Sequence, residues 1–179
     1  GESTFAYDQS ENLTAQANQL GFQTKFEYGL MNEKLKMLDP EGRVTQYAYT
    51  PTYNVAEIIA AAGTANAAVT KTDYNGLRIP VKIVDPEGRV TELAYDNLYR
   101  LIKVVQDANG AKITRTYAYN PTGQVVEETD PNGHVTRYTL DALDRISRKE
   151  DAKGQITQFA YDAQGNLVKK TNPRGFATS

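Results

Sequence analysis

The chain has 179 residues, 20 basic and 22 acidic side chains, one histidine and no cysteine, for a net charge of −2. The interspersed charges leave no electrostatic footprint for nucleic acid or an anionic membrane surface. The missing cysteines remove disulfides, thiol chemistry and cysteine-ligated zinc. Apolar residues make up 40% and the mean hydropathy is −0.58, low for a core covered on both sides and suited to a sheet with one wet face.

The first residues, Gly-Glu-Ser-Thr-Phe, carry neither methionine nor a signal-peptide pattern and run straight into a repeat. The chain is therefore expected to be a piece of a longer array. An aromatic or large apolar residue recurs at Tyr7, Tyr28, Tyr49, Tyr74, Tyr95, Tyr119, Leu140 and Tyr161, spaced 21, 21, 25, 21, 24, 21 and 21 residues apart. Glycine follows 14 or 15 residues behind each, at Gly21, Gly42, Gly63, Gly88, Gly110, Gly133, Gly154 and Gly175. Two markers in one register define a single array of about eight units over residues 1–179.

Each unit contains two turn signals about ten residues apart. Asp39-Pro40-Glu41-Gly42, Asp85-Pro86-Glu87-Gly88 and Asp130-Pro131-Asn132-Gly133 place Asp, Pro and Gly where a type I turn with a following left-handed residue wants them, and Gly154 closes a fourth such turn. Asn120 to Gly123 and Asp162 to Gly165 repeat the grammar at the other end. Between the turns the sequence alternates with period two, as in Val44 to Tyr49 and Ile156 to Tyr161. The return strands are Leu101 to Gln106, Val125 to Thr129, Ile146 to Glu150 and Leu167 to Thr171. The fold class is thus all-β, an antiparallel meander of hairpins in an open, curved or spiralling sheet. Tyr49, Tyr95, Tyr119 and Tyr161 are expected to form a structural ladder on one face, with Thr91, Thr136 and Thr157 beside them.

Two stretches break the pattern. Val55 to Val69 is alanine-rich, but its phase favours a strand followed by an enlarged loop over a helical turn. In Leu20 to Leu38, Met31-Asn32-Glu33 stands where Asp-x-x-Gly is expected, making that unit degenerate.

Tyr95-Asp96-Asn97-Leu98-Tyr99-Arg100-Leu101, Tyr161-Asp162-Ala163-Gln164-Gly165-Asn166-Leu167 and the Asp-Pro-x-Gly turns resemble the YD repeats of the bacterial Rhs family, whose motif is Tyr-Asp-x-x-Gly-Arg-Leu. The resemblance covers nearly the whole chain. It implies a segment of a hollow shell, as in Rhs effectors and Tc toxin cocoon proteins, that encloses a toxic C-terminal domain. Such proteins are secreted or lie at the cell surface, often delivered by type VI secretion. Arg100 and Arg145 keep the motif arginine, while Asn54, Gln124 and Asn166 replace it and Leu140 replaces the tyrosine, which reads as drift within an array. Pro80 to Gly88 matches most of the family's autoproteolytic boundary pattern, but Arg89 stands in place of leucine, so no cleavage chemistry is assigned.

No catalytic, cofactor-binding or metal-binding residue is assigned. His134 follows a turn glycine with no nucleophile in matching register and reads as a solvated turn residue. The turn aspartates offer about one carboxylate each where calcium wants six to eight oxygens. The expected role is structural, without enzymatic activity or cofactor. The partners implied are other repeats of the parent protein and an enclosed toxin domain, with no nucleic acid and no membrane insertion. The alternative is a cell-surface adhesive or carbohydrate-binding module using outward-facing aromatics. Sixteen strands at about 4.8 Å span roughly 77 Å, too little to enclose a domain of about 100 residues. Self-association through uncapped edge strands near residues 5 to 13 and 161 to 176 is therefore expected.

Overall fold

The computed structural model describes residues 2–178. Its regular elements are all strands, and the chain divides between Val90 and Thr91 into two compact units. In the first, β1 (Thr4–Tyr7), β2 (Leu13–Ala17), β3 (Gln23–Tyr28), β4 (Lys34–Leu38), β5 (Val44–Tyr49), β6 (Val55–Ala60), β7 (Ala68–Tyr74) and β8 (Pro80–Val84) pair in chain order, each antiparallel to the next. The second unit repeats this with β9 (Val90–Tyr95), β10 (Leu101–Gln106), β11 (Ile113–Tyr119), β12 (Val125–Thr129), β13 (Val135–Leu140), β14 (Ile146–Glu150), β15 (Ile156–Tyr161), β16 (Leu167–Thr171) and β17 (Ala177–Thr178). This is the all-β hairpin meander that period-two alternation and paired turn signals predict.

Two details differ from the sequence reading. There are seventeen strands among the described residues, because the turn at Asn172 to Phe176 closes a further hairpin and β17 starts a ninth repeat. The last paired segment is consequently β17, beyond the 161–176 stretch. Gly110 does not serve as a turn glycine: the left-handed residues of its loop are Asp107 (φ 51°) and Lys112 (φ 54°), and the Asp107 carbonyl accepts the N–H groups of both Gly110 and Lys112. The six-residue connection between β10 and β11 places its bends at its two ends. The alanine-rich stretch after Val55 is, as its phase predicts, strand β6 followed by a loop over residues 61–67.

Parity carries one face through the second unit. Leu93 opposes Val104, which opposes Arg115; Tyr117 opposes Glu128, which opposes Thr136; Tyr138 opposes Lys149, which opposes Thr157. Tyr95, Tyr119 and Tyr161 therefore share a face with Thr91, Thr136 and Thr157. The opposite face carries small and charged residues, joined by cross-strand ion pairs such as Arg137 to Glu127 at 2.9 Å.

Every hairpin that closes on the tyrosine position slips by one residue there. The shift falls at Ala6/Tyr7, Glu27/Tyr28, Ala48/Tyr49, Asp73/Tyr74, Ala118/Tyr119, Thr139/Leu140 and Ala160/Tyr161, and in β10 between Leu101 and Lys103. A bulge bends the strand and raises its right-handed twist. One bulge per repeat therefore adds one increment of bend per repeat.

Among the described residues no side chain is fully buried, and the accessible surface is 12180 Å². A compact protein of 19.8 kDa exposes about 8,600 Å². The difference is what a single layer of sheet leaves uncovered.

The turns share one geometry. At Asp130 the backbone N–H donates to the His134 carbonyl (2.9 Å) and the Gly133 N–H donates to the Asp130 carbonyl (3.0 Å), a type I turn completed by a left-handed fourth residue. Gly88, Gly133 and Gly154 have φ of 78°, 82° and 73°. In other turns that slot holds a residue with a side chain, as at Tyr99 (φ 61°). A Cβ at Gly133 would meet no atom within 4 Å, so its cost would be that of the backbone alone. Gly133→Val should destabilise the chain by roughly 1–2 kcal/mol and Tyr99→Gly should stabilise it by roughly 0.5–1 kcal/mol. Urea denaturation of the two variants should move the midpoint in opposite directions.

Candidate functional site

The recurring constellation lies where each tyrosine strand ends. The bulge leaves the first carbonyl of each return strand outside the regular ladder, and a carbonyl with no partner is costly. In the next repeat the tyrosine hydroxyl reaches back to it. Tyr49 donates to the Lys34 carbonyl (2.8 Å), Tyr74 to Val55 (2.8 Å), Tyr119 to Leu101 (2.7 Å) and Tyr161 to Ile146 (2.9 Å). The acceptor is in each case the first residue of the neighbouring strand. Tyrosine rather than phenylalanine is required because the bond needs the hydroxyl.

The turn that follows supplies the second part. The Asp96 Oδ1 accepts the N–H groups of Leu98 (2.9 Å) and Arg100 (3.0 Å), and its Oδ2 accepts Arg100 Nε (2.7 Å). From that anchored position Arg100 donates through Nη1 to the Asn120 carbonyl (2.9 Å) and lies 4.7 Å from the centre of the Tyr119 ring. Arg145 repeats the arrangement with Asp141, the Asp162 carbonyl (3.2 Å) and the Tyr161 ring (4.6 Å). Each guanidinium thus fastens its own turn to the tyrosine of the following repeat. A stacked cation adds about 0.5–1 kcal/mol at an exposed site.

The arginine replacements are therefore not neutral drift. Asn166 keeps the bond within its turn, donating from Nδ2 to Asp162 Oδ2 (3.0 Å), but its short side chain cannot bridge to another repeat. The unit over Leu20 to Leu38 also keeps its turn by substitution. Gly29 occupies the aspartate position, Asn32 the left-handed one (φ 62°), and the Glu33 carboxylate accepts the Met31 N–H (2.9 Å) and fills the space beside Gly29.

The aspartates assigned to turns all cap them. Asp39 and Asp85 accept the N–H two and four residues on and pair with Arg43 and Arg89, while Pro40, Pro86 and Pro131 occupy the position after the aspartate. His134 stands in the same slot as those arginines, its Nδ1 3.0 Å from Asp130 Oδ2 and its side chain exposed. Among the described residues no three His, Cys, Asp or Glu side chains gather as metal ligands would.

These bonds shift the carboxyls. Arg145 hydrogen bonding lowers Asp141, Asn166 lowers Asp162, and the His134 backbone N–H lowers Asp130. Because the folded values lie below the unfolded one of about 3.9, this stabilisation is complete above that pH and is lost as pH falls through the folded values.

The family model for RHS repeats matches residues 73–112, 119–150 and 141–177. Together these cover more than half of the chain, and the chain belongs to the RHS repeat family. No curated protein matches it by sequence. Solved structures do: a crystal structure of TcdB2-TccC3-TEV has a TM-score of 0.65 at 15% identity over 95% of this chain, and one of TcdB2-TccC3 without its hypervariable C-terminal region gives the same values. A structure of the Photorhabdus luminescens Tc holotoxin pore carrying a TccC3 mutation has a TM-score of 0.50 at 12% identity over 96% of this chain. The chain spans only 11% of the first two and 12% of the third. The fold is thus one that Tc toxin components also use.

If the hydroxyl bond carries the contact between repeats, Tyr119→Phe should cost about 0.5–1.5 kcal/mol. Leu140→Tyr should gain a similar amount by placing a hydroxyl at the Val125 carbonyl, the equivalent first residue of β12. Thermal melts that leave both variants unchanged would remove the hydroxyl from the account.

Proposed function

We propose that this chain is a wall segment of a toxin shell, and that its task is to enclose a cargo domain rather than to bind or transform a small molecule. The observation that carries the reading is the single-layer meander with one bulge per repeat and no buried side chain among the described residues. Such a layer has no core of its own, and it can be extended indefinitely because each repeat asks only for a neighbour. Membership of the RHS repeat family and likeness to Tc toxin structures support a shell over an isolated domain. In this reading the parent protein acts outside the cell that makes it, its partners are other toxin components, and the strand edges pair with adjoining repeats.

The alternative, a carbohydrate-binding surface, needs open aromatic faces. The rings of Tyr119 and Tyr161 lie under arginine guanidinium groups and have their hydroxyls engaged, which favours a structural ladder.

In the intact parent protein, a domain downstream of the repeats should resist protease while the array is folded, and Arg100→Gln with Arg145→Gln should speed its digestion. Equal digestion with and without those substitutions, or saturable binding of the chain on a glycan array, would contradict the shell reading.

A further inference from the structure

The two edges of the first unit, at opposite ends of its strands, are unlike. The turns over 39–43 and 85–89 carry proline and glutamate at their tips, and Arg43 and Arg89 close ion pairs on Glu41 and Glu87 within the same turn. The tyrosine-side turns over 8–12, 29–33, 50–54 and 75–79 instead present Leu30, Met31, Tyr53 and Leu77, which are 101%, 64%, 54% and 58% exposed. On the other edge the turn over 18–22 is the exception, with Leu20 80% and Phe22 57% exposed next to the outermost strand, which itself exposes Phe5 and Tyr7. Two of these turns are tied by a bond from Asn12 Nδ2 to Asn32 Oδ1 (2.9 Å), so the tips are held in fixed spacing.

The charges on this edge are arranged with equal order. Glu11 stands exposed at one end and Arg78 exposed at the other, and neither has an ion-pair partner among the described residues. Both occupy the left-handed slot of their turns (φ 63° in each), which fixes their backbone. Read along the edge, the order is acidic, aliphatic, aromatic, basic. Turned end for end, acidic meets basic and aliphatic meets aromatic, with Leu77 lying beside the pair of Glu11 and Arg78.

We infer that this edge is a two-fold interface with a second copy of the chain: the copies meet antiparallel, Leu30 and Met31 of one against Tyr53 of the other, with Glu11 of each facing Arg78 of its mate. Consecutive tips lie about 9.6 Å apart, two strand spacings. Only a surface of the same period brings both central apolar tips and both terminal charges into step at once, and another such edge is one. A two-fold contact of this kind closes on itself, so association stops at the dimer. The contact is small, which places it among weak interfaces.

Sedimentation equilibrium of the full chain tests this. A concentration-dependent dimer is expected, and Leu30→Asp with Met31→Asp should abolish it while the melting temperature stays put, since both tips lie outside the sheet. Arg78→Glu should weaken the dimer at least about tenfold, and Glu11→Arg added to it should restore the affinity. Four results would overturn the inference: a monomer at every concentration, association indifferent to Leu30 and Met31, no rescue by the double charge reversal, or loss of association on Ala6→Pro. The last would assign the contact to the free edge of β1.

Discussion

The bond from a tyrosine hydroxyl to the carbonyl at a neighbouring bulge is the interaction on which the rest of this sheet depends. A single layer cannot bury a core, so every stabilising contact must lie within the sheet or between adjacent strands. The bulge gives the layer its bend but removes a carbonyl from the ladder. Without the hydroxyl, curvature would leave one unsatisfied acceptor per repeat, at a cost of about 1–3 kcal/mol each if it were shielded from water. With it, the repair comes from the next repeat and joins the two. Bending and cohesion therefore arise from the same atoms.

The arginine acts on the same joint from the turn side. Asp96 and Asp141 hold their guanidinium groups in place, and the guanidinium then covers the following tyrosine ring and takes a carbonyl beyond it. Stability is accordingly a sum of repeat terms and nearest-neighbour terms. A wall built this way can lengthen without changing its local chemistry, which is the property a shell needs and a compact binding domain does not.

Much of this was legible in the sequence because period two and the recurring tyrosine and glycine are compositional marks. The type I turns were legible too, since Asp130, Pro131 and Gly133 each favour one turn position for a separate reason. The bulge was not: a one-residue slip between Tyr119 and Val125 leaves no signature in residue type. The role of Arg100 was hidden because its ring partner lies 19 positions away in sequence, and loss of the arginine at Asn166 could be read as drift. Left-handed residues such as Tyr53, Arg78 and Tyr99 were also missed, since glycine is the usual mark of that conformation. Glu33 could replace the capping aspartate because the turn requires a carboxylate at a place, not at a sequence position.

The most direct test of the joint is a pair of double-mutant cycles read by urea denaturation. One combines Arg100→Met with Tyr119→Leu, which are in contact; the other combines Arg100→Met with Tyr161→Leu, which are three repeats apart. Loss of the Asp96 contact enters both cycles equally and cancels. Nearest-neighbour locking predicts a coupling of about 0.5–1 kcal/mol in the first cycle and additivity within about 0.3 kcal/mol in the second. Equal coupling in both, or none in the first, would show that the arginine and tyrosine do not hold one repeat to the next.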